Sequence, residues 1–198
     1  MSKPTADLPT AEQAMERLMA GNKRYVVSKQ THPHQTRERC VELSAGQYPF
    51  AVILGCADSR VPPEVVFDQG LGDLFVIRVA GNVLDDIVVG SVEYAAAHLH
   101  TPLIVVLGHA RCGAVGATIA GGELEGHLPS LAEAIQPAVD QVKDLPGDLV
   151  DNAVRANAKM VAEQLKSSQP VLSELVNAGE LKIVAARYDL DTGIVELL

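Results

Sequence analysis

Hydrophobic positions along the chain fall into two kinds of pattern. Near-continuous apolar runs occupy residues 50–54, 74–79, 103–107 and 182–188, and they read as strands buried on both faces, as parallel strands are. Between them apolar residues recur at helical spacing over 85–99, 113–120 and 150–167, where Val150, Val154, Val161 and Leu165 share a face. The stretch 170–179 opens with Pro and closes with Gly, the punctuation of a short helix. Near the N-terminus, Thr10 to Gln13 fits a capping box, and Met15, Leu18, Met19 and Tyr25 predict an amphipathic helix over 11–28. Residues 29–36 read as a linker in which His32 and His34 flank Pro33 as surface-loop residues. The tail "RYDLDTGIVELL" reads as a hairpin that adds one antiparallel edge strand.

Strands and helices in this order predict a single domain over 1–198. It is a three-layer α/β/α fold with a central, mostly parallel four-stranded sheet, an antiparallel edge strand and an N-terminal helical arm over 10–35. The apolar face of that arm has little of its own domain yet built to cover.

Composition changes this picture little. Apolar residues make up 47% of the 198 and charged residues 21%, as in ordinary soluble globular proteins. The net charge of −9 argues against a nucleic-acid partner. No apolar run approaches the roughly 20 residues that span a bilayer, and the stretch "MSKPTADLPTAEQ" lacks the apolar core of a secretory signal. Three cysteines at these spacings are no disulfide framework, so a reducing cytoplasm is the expected compartment.

The chemistry gathers where two strands end. The run "FAVIL" leads into "GCADSRVPPE" (55–64), and "PLIVVL" leads into "GHARCG" (108–113). Ligands bind outside the carboxyl ends of parallel strands, where strand order reverses. If these two strands are neighbours, Cys56, His109 and Cys112 converge in one crevice. Two thiolates and an imidazole suit zinc, and three protein ligands leave a fourth tetrahedral position for solvent. The competing reading takes both cysteines as small buried hydrophobes. Asp58 and Arg60 leave the first strand end together and are expected to pair, either as a structural staple or as a proton acceptor beside an open metal. Cys40 reads as a buried or half-buried bystander thiol.

"CADSR" (56–60) followed by "HARCG" (109–113), with "GQYPFAVILGCADSRVPPE" (46–64), "GDLFVIRVAGN" (72–82), "SVEYAAAHL" (91–99) and "LIVVLGHARCGAV" (103–115), resembles the β-class carbonic anhydrases over about residues 10 to 197. The resemblance implies one Zn2+ per chain held by Cys56, His109 and Cys112, with Asp58 and Arg60 as a catalytic dyad. It implies reversible hydration of CO2 to bicarbonate and a proton through a zinc-bound hydroxide. Gln47 matches a substrate-binding glutamine, and Phe75 and Tyr94 match pocket residues contributed around a dimer interface. Their pattern alone would make Phe75 and Tyr94 core residues and Gln47 a turn residue. Asn82 matches a family motif asparagine. A homodimer or homotetramer follows, its N-terminal helix wrapping the partner.

Some members of the family carry a Trp three residues before the first ligand cysteine, marking a bicarbonate site that shuts the enzyme. Here that position is Ile53 and the chain has no Trp. Arg78 matches that site's arginine but alone reads equally as structural. The open form, with water as fourth ligand, is therefore expected. "RVAGN" (78–82) replaces the commoner "RNVAN", which affects the local contour around Ala80. Two other readings share the motifs: hydrolysis of carbon disulfide or carbonyl sulfide on the same zinc, and a zinc-binding regulatory module without catalysis. The presence of both Asp58 and Arg60 argues against the second.

Overall fold

The computed structural model describes residues 8–198; the first seven residues, part of the stretch read for a secretory signal, lie outside the described residues. The chain begins with α1 (Ala11–Val26) and a short α2 (Arg37–Glu42), then enters β1 (Ala51–Gly55), α3 (Pro63–Val66) and β2 (Leu74–Arg78). Helix α4 (Asp86–Glu93) widens into a π turn over Tyr94–His98 and is followed by β3 (Leu103–His109) and α5 (Gly113–Ala120). Helices α6 (Leu128–Val142), α7 (Leu149–Ser167) and α8 (Val171–Asn177) precede β4 (Lys182–Tyr188) and β5 (Val195–Leu197). Among these, no helix is long and apolar enough to cross a membrane.

The strands form one sheet in the order β2-β1-β3-β4-β5. The first four are parallel, and β5 returns antiparallel to β4, as the sequence predicts. Side chains alternate across the central strands. Val52, Leu54, Ile104 and Val106 meet Val88, Val92, Val161 and Leu165 of α4 and α7 on one face. Ala51, Ile53, Leu103 and Val105 meet Ala14 and Leu18 of α1, Val66 of α3 and Phe67 just after it on the other.

Helix starts follow from local chemistry. Thr10 accepts from the Gln13 N–H while Gln13 Oε1 accepts from the Thr10 N–H, closing the predicted capping box. Asp85 and Asp148 cap α4 and α7 by accepting from the N–H groups of Val88 and of Val150 and Asp151.

Several expectations need correction. Helix α1 is not left over for a partner: Ala14 and Leu18 are fully buried against this chain's own sheet. Gly21 permits the close approach, since a Cβ there would stand 1.8 Å from the Phe67 carbonyl oxygen. Buried Asn22 completes the seam, donating to the Val66 and Gly193 carbonyls and accepting from the Val195 N–H. Strand β2 is not buried on both faces; as the outer strand, all five of its residues are half-buried. Cys40 is exposed, because α2 buries none of its residues. The 29–36 segment is a loop, yet a tied one: Thr31 and His32 donate to Asp68, and His34 Nδ1 lies 2.8 Å from Asp73.

Helix α6 escapes the sequence reading altogether. Ile135, Ala138, Val139 and Val142 form a good buried face, but Pro129 and Pro137 interrupt the pattern. Pro137 removes one helical N–H and is tolerated because it and Glu133 face solvent.

Candidate metal centre

Strand order reverses between β1 and β3, since β2 lies on one side of β1 and β3 on the other. The two strands run in register, Gly55 beside Leu107, so their carboxyl ends open together. Cys56 follows β1 directly, His109 closes β3, and Cys112 stands at the N-cap of α5. The crevice expected at the switch point is where the sequence predicts it.

The two sulfurs lie 4.0 Å apart, and the ligand atoms of all three residues lie within 4.8 Å of one another. Sulfurs each about 2.3 Å from a tetrahedral zinc would stand roughly 3.8 Å apart, so the observed spacing is close to a formed site. His109 supplies the second test. Its Nδ1 lies 3.0 Å from the Ala110 carbonyl, which can only accept, so Nδ1 carries the proton. Nε2 is then a bare lone pair, buried and without a hydrogen-bond partner. A buried orphan acceptor facing two thiols fits a thiophilic divalent cation.

The two thiols are coupled through their mutual contact. The hydrogen bond with Cys112 pulls the Cys56 thiol well below its usual range, against burial, with help from the Gly81 N–H. The same contact, together with burial, pushes the Cys112 thiol up.

Asp58 and Arg60 form the expected pair. Arg60 Nε and Nη2 donate to the two carboxylate oxygens at 2.9 and 2.7 Å, and the Arg60 backbone N–H adds a third bond to Oδ1. The Arg60 side chain holds the Asp58 carboxyl well below the usual carboxylate range despite partial burial. Asp58 Oδ2 stands 3.8 Å from His109 Nε2, so the carboxylate borders the cluster while Arg60 restrains it.

The walls of the site are tied to one another. Arg78 donates to the carbonyls of Cys56 and Asp58, a structural clamp on the loop after β1. Arg111, in the left-handed region at φ 52, pairs twice with Asp191 at 2.8 Å and so fastens the loop after β3 to the β4–β5 turn. The Arg111–Asp191 tether was not visible in the sequence, where only the spacing of 80 residues separates the two.

Three predicted pocket residues do not join this cluster within one chain. Phe75 pairs with Val52 in register, and Val52 lies four residues, about 13 Å, back along β1 from Cys56. Tyr94 packs against Phe75 with the rings tilted by 42° and centroids 6.2 Å apart, and is 48% exposed. Gln47 is exposed and precedes the amino end of β1, the opposite end of the strand from Cys56.

A family model described as carbonic anhydrase matches residues 51–195. Carbonic anhydrase 2 of Mycobacterium tuberculosis is 43% identical over 184 residues, covering 91% of this chain and 89% of that protein. A β-carbonic anhydrase of Aspergillus fumigatus superposes with a TM-score of 0.74 at 28% identity, over 93% of this chain and 90% of that one. A tetrameric β-carbonic anhydrase of Sordaria macrospora shares the fold with a TM-score of 0.75 at 24% identity, over 94% and 97% of the two chains. With the family model spanning the sheet and the Cys–His–Cys cluster at its switch point, the chain belongs to the β-class carbonic anhydrases, a family of enzymes.

Proposed function

We propose that this protein catalyses the reversible hydration of CO2 to bicarbonate and a proton at a zinc ion held by Cys56 Sγ, Cys112 Sγ and His109 Nε2. The observation that carries the proposal is the buried, unpartnered Nε2 of His109 facing two thiols at metal-ligand spacing. Zinc, when bound there, supplies a Lewis acid that acidifies water at the position the three ligands leave open.

The chain's own residues supply the orientation. Asp58, kept ionised by Arg60, is a pure acceptor at the rim of the cluster. It receives the hydrogen bond of the attacking oxygen and so directs that oxygen's free lone pair toward carbon. The fork of Arg60 also keeps the carboxylate from swinging into the open position. Ile53, fully buried in the core where some relatives carry a Trp, supports the open form.

Gln47, Phe75 and Tyr94 are assigned to the substrate pocket of a neighbouring copy, because strand length puts them out of reach of their own cluster. The half-buried apolar strand β2 and the exposed Tyr94 ring support a homo-oligomer joined there. Thiolate ligands are consistent with a reducing cytoplasm.

Zinc content and stopped-flow CO2 hydration, measured on the same preparation, test the reading. We expect one zinc per chain and rapid hydration. Asp58→Asn should retain zinc and lose about a hundredfold or more in kcat. Wild-type turnover by zinc-loaded Asp58→Asn would refute the dyad.

A further inference from the structure

Between β2 and α4 the backbone turns tightly over Val79–Asn82. The Asn82 N–H donates to the Val79 carbonyl at 3.0 Å, and Gly81, the third residue of the turn, has φ 70 and ψ 13. A positive φ at this position fixes which side of the turn the central peptide N–H occupies. Here it faces the metal centre: the Gly81 N–H donates to Cys56 Sγ at 3.3 Å, in a buried setting. The commoner turn with negative φ rotates this peptide by half a turn and would aim the Ala80 carbonyl at the sulfur instead.

Two features hold the less common form. A Cβ at Gly81 would stand 2.7 Å from Ile135 Cδ1 and 3.2 Å from Ala114 Cβ, besides being strained at this φ. From behind, Asn157 Nδ2 donates to the Gly81 carbonyl at 2.9 Å. Asn157 is 1% exposed on the buried face of α7 beside Val154, Ala158 and Val161. Its Oδ1 has no partner among the described residues. Leucine would fill that space without burying an amide, so packing alone does not account for asparagine.

We propose that Gly81 and Asn157 are positioning residues for the metal centre: the turn aims one backbone N–H at the Cys56 sulfur, and Asn157 locks the turn in that sense. The inference rests on Cys56 being a thiolate ligand. A hydrogen bond to such a ligand orients it and draws charge from its sulfur. Glycine at position 81 then has a physical reason, because it takes this turn without strain and without a clash.

The test uses the full chain loaded with cobalt, whose thiolate-to-metal charge-transfer band reports the electron density on sulfur. Asn157→Leu and Gly81→Ala should each move the band to longer wavelength, and a competing chelator should extract the metal roughly 10- to 100-fold more readily. Val161→Ala, which loosens the same helix without touching the turn, should leave the band in place. Gly81→Ala crowds Ile135 and can disturb the site sterically, so Asn157→Leu decides, with the shorter Asn157→Ser as its replacement if it does not fold. An unmoved band in the folded Asn157 variant overturns the inference, as does an equal shift in Val161→Ala. Wild-type protein that takes up cobalt with no thiolate band overturns the ligand assignment itself, and the inference with it.

Discussion

His109 has two ring nitrogens, and the fold satisfies one of them. Its Nδ1–H is taken by the next carbonyl in the chain, which sets the tautomer without any distant partner. Such a bond is invisible in sequence, whereas the residue types themselves are plain. We expect His109→Ala and Cys56→Ser to lose both zinc and hydration activity, with metal analysis separating this from the Asp58→Asn phenotype. A second residue illustrates electrostatics away from the site. Asp68 is 3% exposed, and burial pushes its carboxyl up. Bonds from the Thr31 and His32 N–H groups and from Arg24 outweigh that, bringing it to about 2 from an ordinary 3.8. A lowered folded-state value means that the stabilisation is complete above about pH 4 and disappears as pH falls toward 2. It is worth about 2 kcal/mol. Asp68→Asn should be less stable than wild type at pH 7 by about that amount, and the two should converge in acid when urea midpoints are compared across this range.

Among elements, α6 separates what sequence shows from what it hides. The parallel strands and α1, α4, α5, α7 and α8 are legible because their apolar residues follow period or run length, and caps such as Thr10 and Asp85 mark their starts. The Cys–His–Cys cluster is legible because two strand ends carry its members. Helix α6 was obscured by Pro137, whose cost is local while its neighbours Ile135 and Val139 gain from tertiary burial. Pro137→Ala restores a helical N–H on the solvent face. It should raise stability by about 1–2 kcal/mol, after allowance for the greater entropy of the unfolded chain. Chemical denaturation reads that gain, and hydration activity should be unchanged. The Asn22 seam and the Arg111–Asp191 tether were hidden for another reason: each joins residues whose proximity exists only after the sheet has formed.

At the scale of the whole molecule, the open edge at β2 is the feature that a single chain leaves unresolved. Val76 is half-buried there and packs in neither of the two sheet-face cores. A lysine on an edge strand blocks pairing with another chain. Val76→Lys should therefore yield monomers by light scattering that keep zinc yet hydrate CO2 poorly, since the proposed assignment has a neighbouring copy supply the pocket residues. The position of the cluster has a consequence for folding as well. Cys56 and Cys112 are 56 residues apart in the chain and meet only across the β1–β3 pair. A cation bound to both therefore acts as a rivet through the middle strands and has affinity for the assembled sheet rather than the open chain. At free metal a hundred times its dissociation constant, that rivet adds about 2.7 kcal/mol. Dialysis against a chelator should lower the calorimetric melting temperature, and resupplied zinc should restore it. In the cell, scarcity of the ion would thus deplete folded protein as well as working sites.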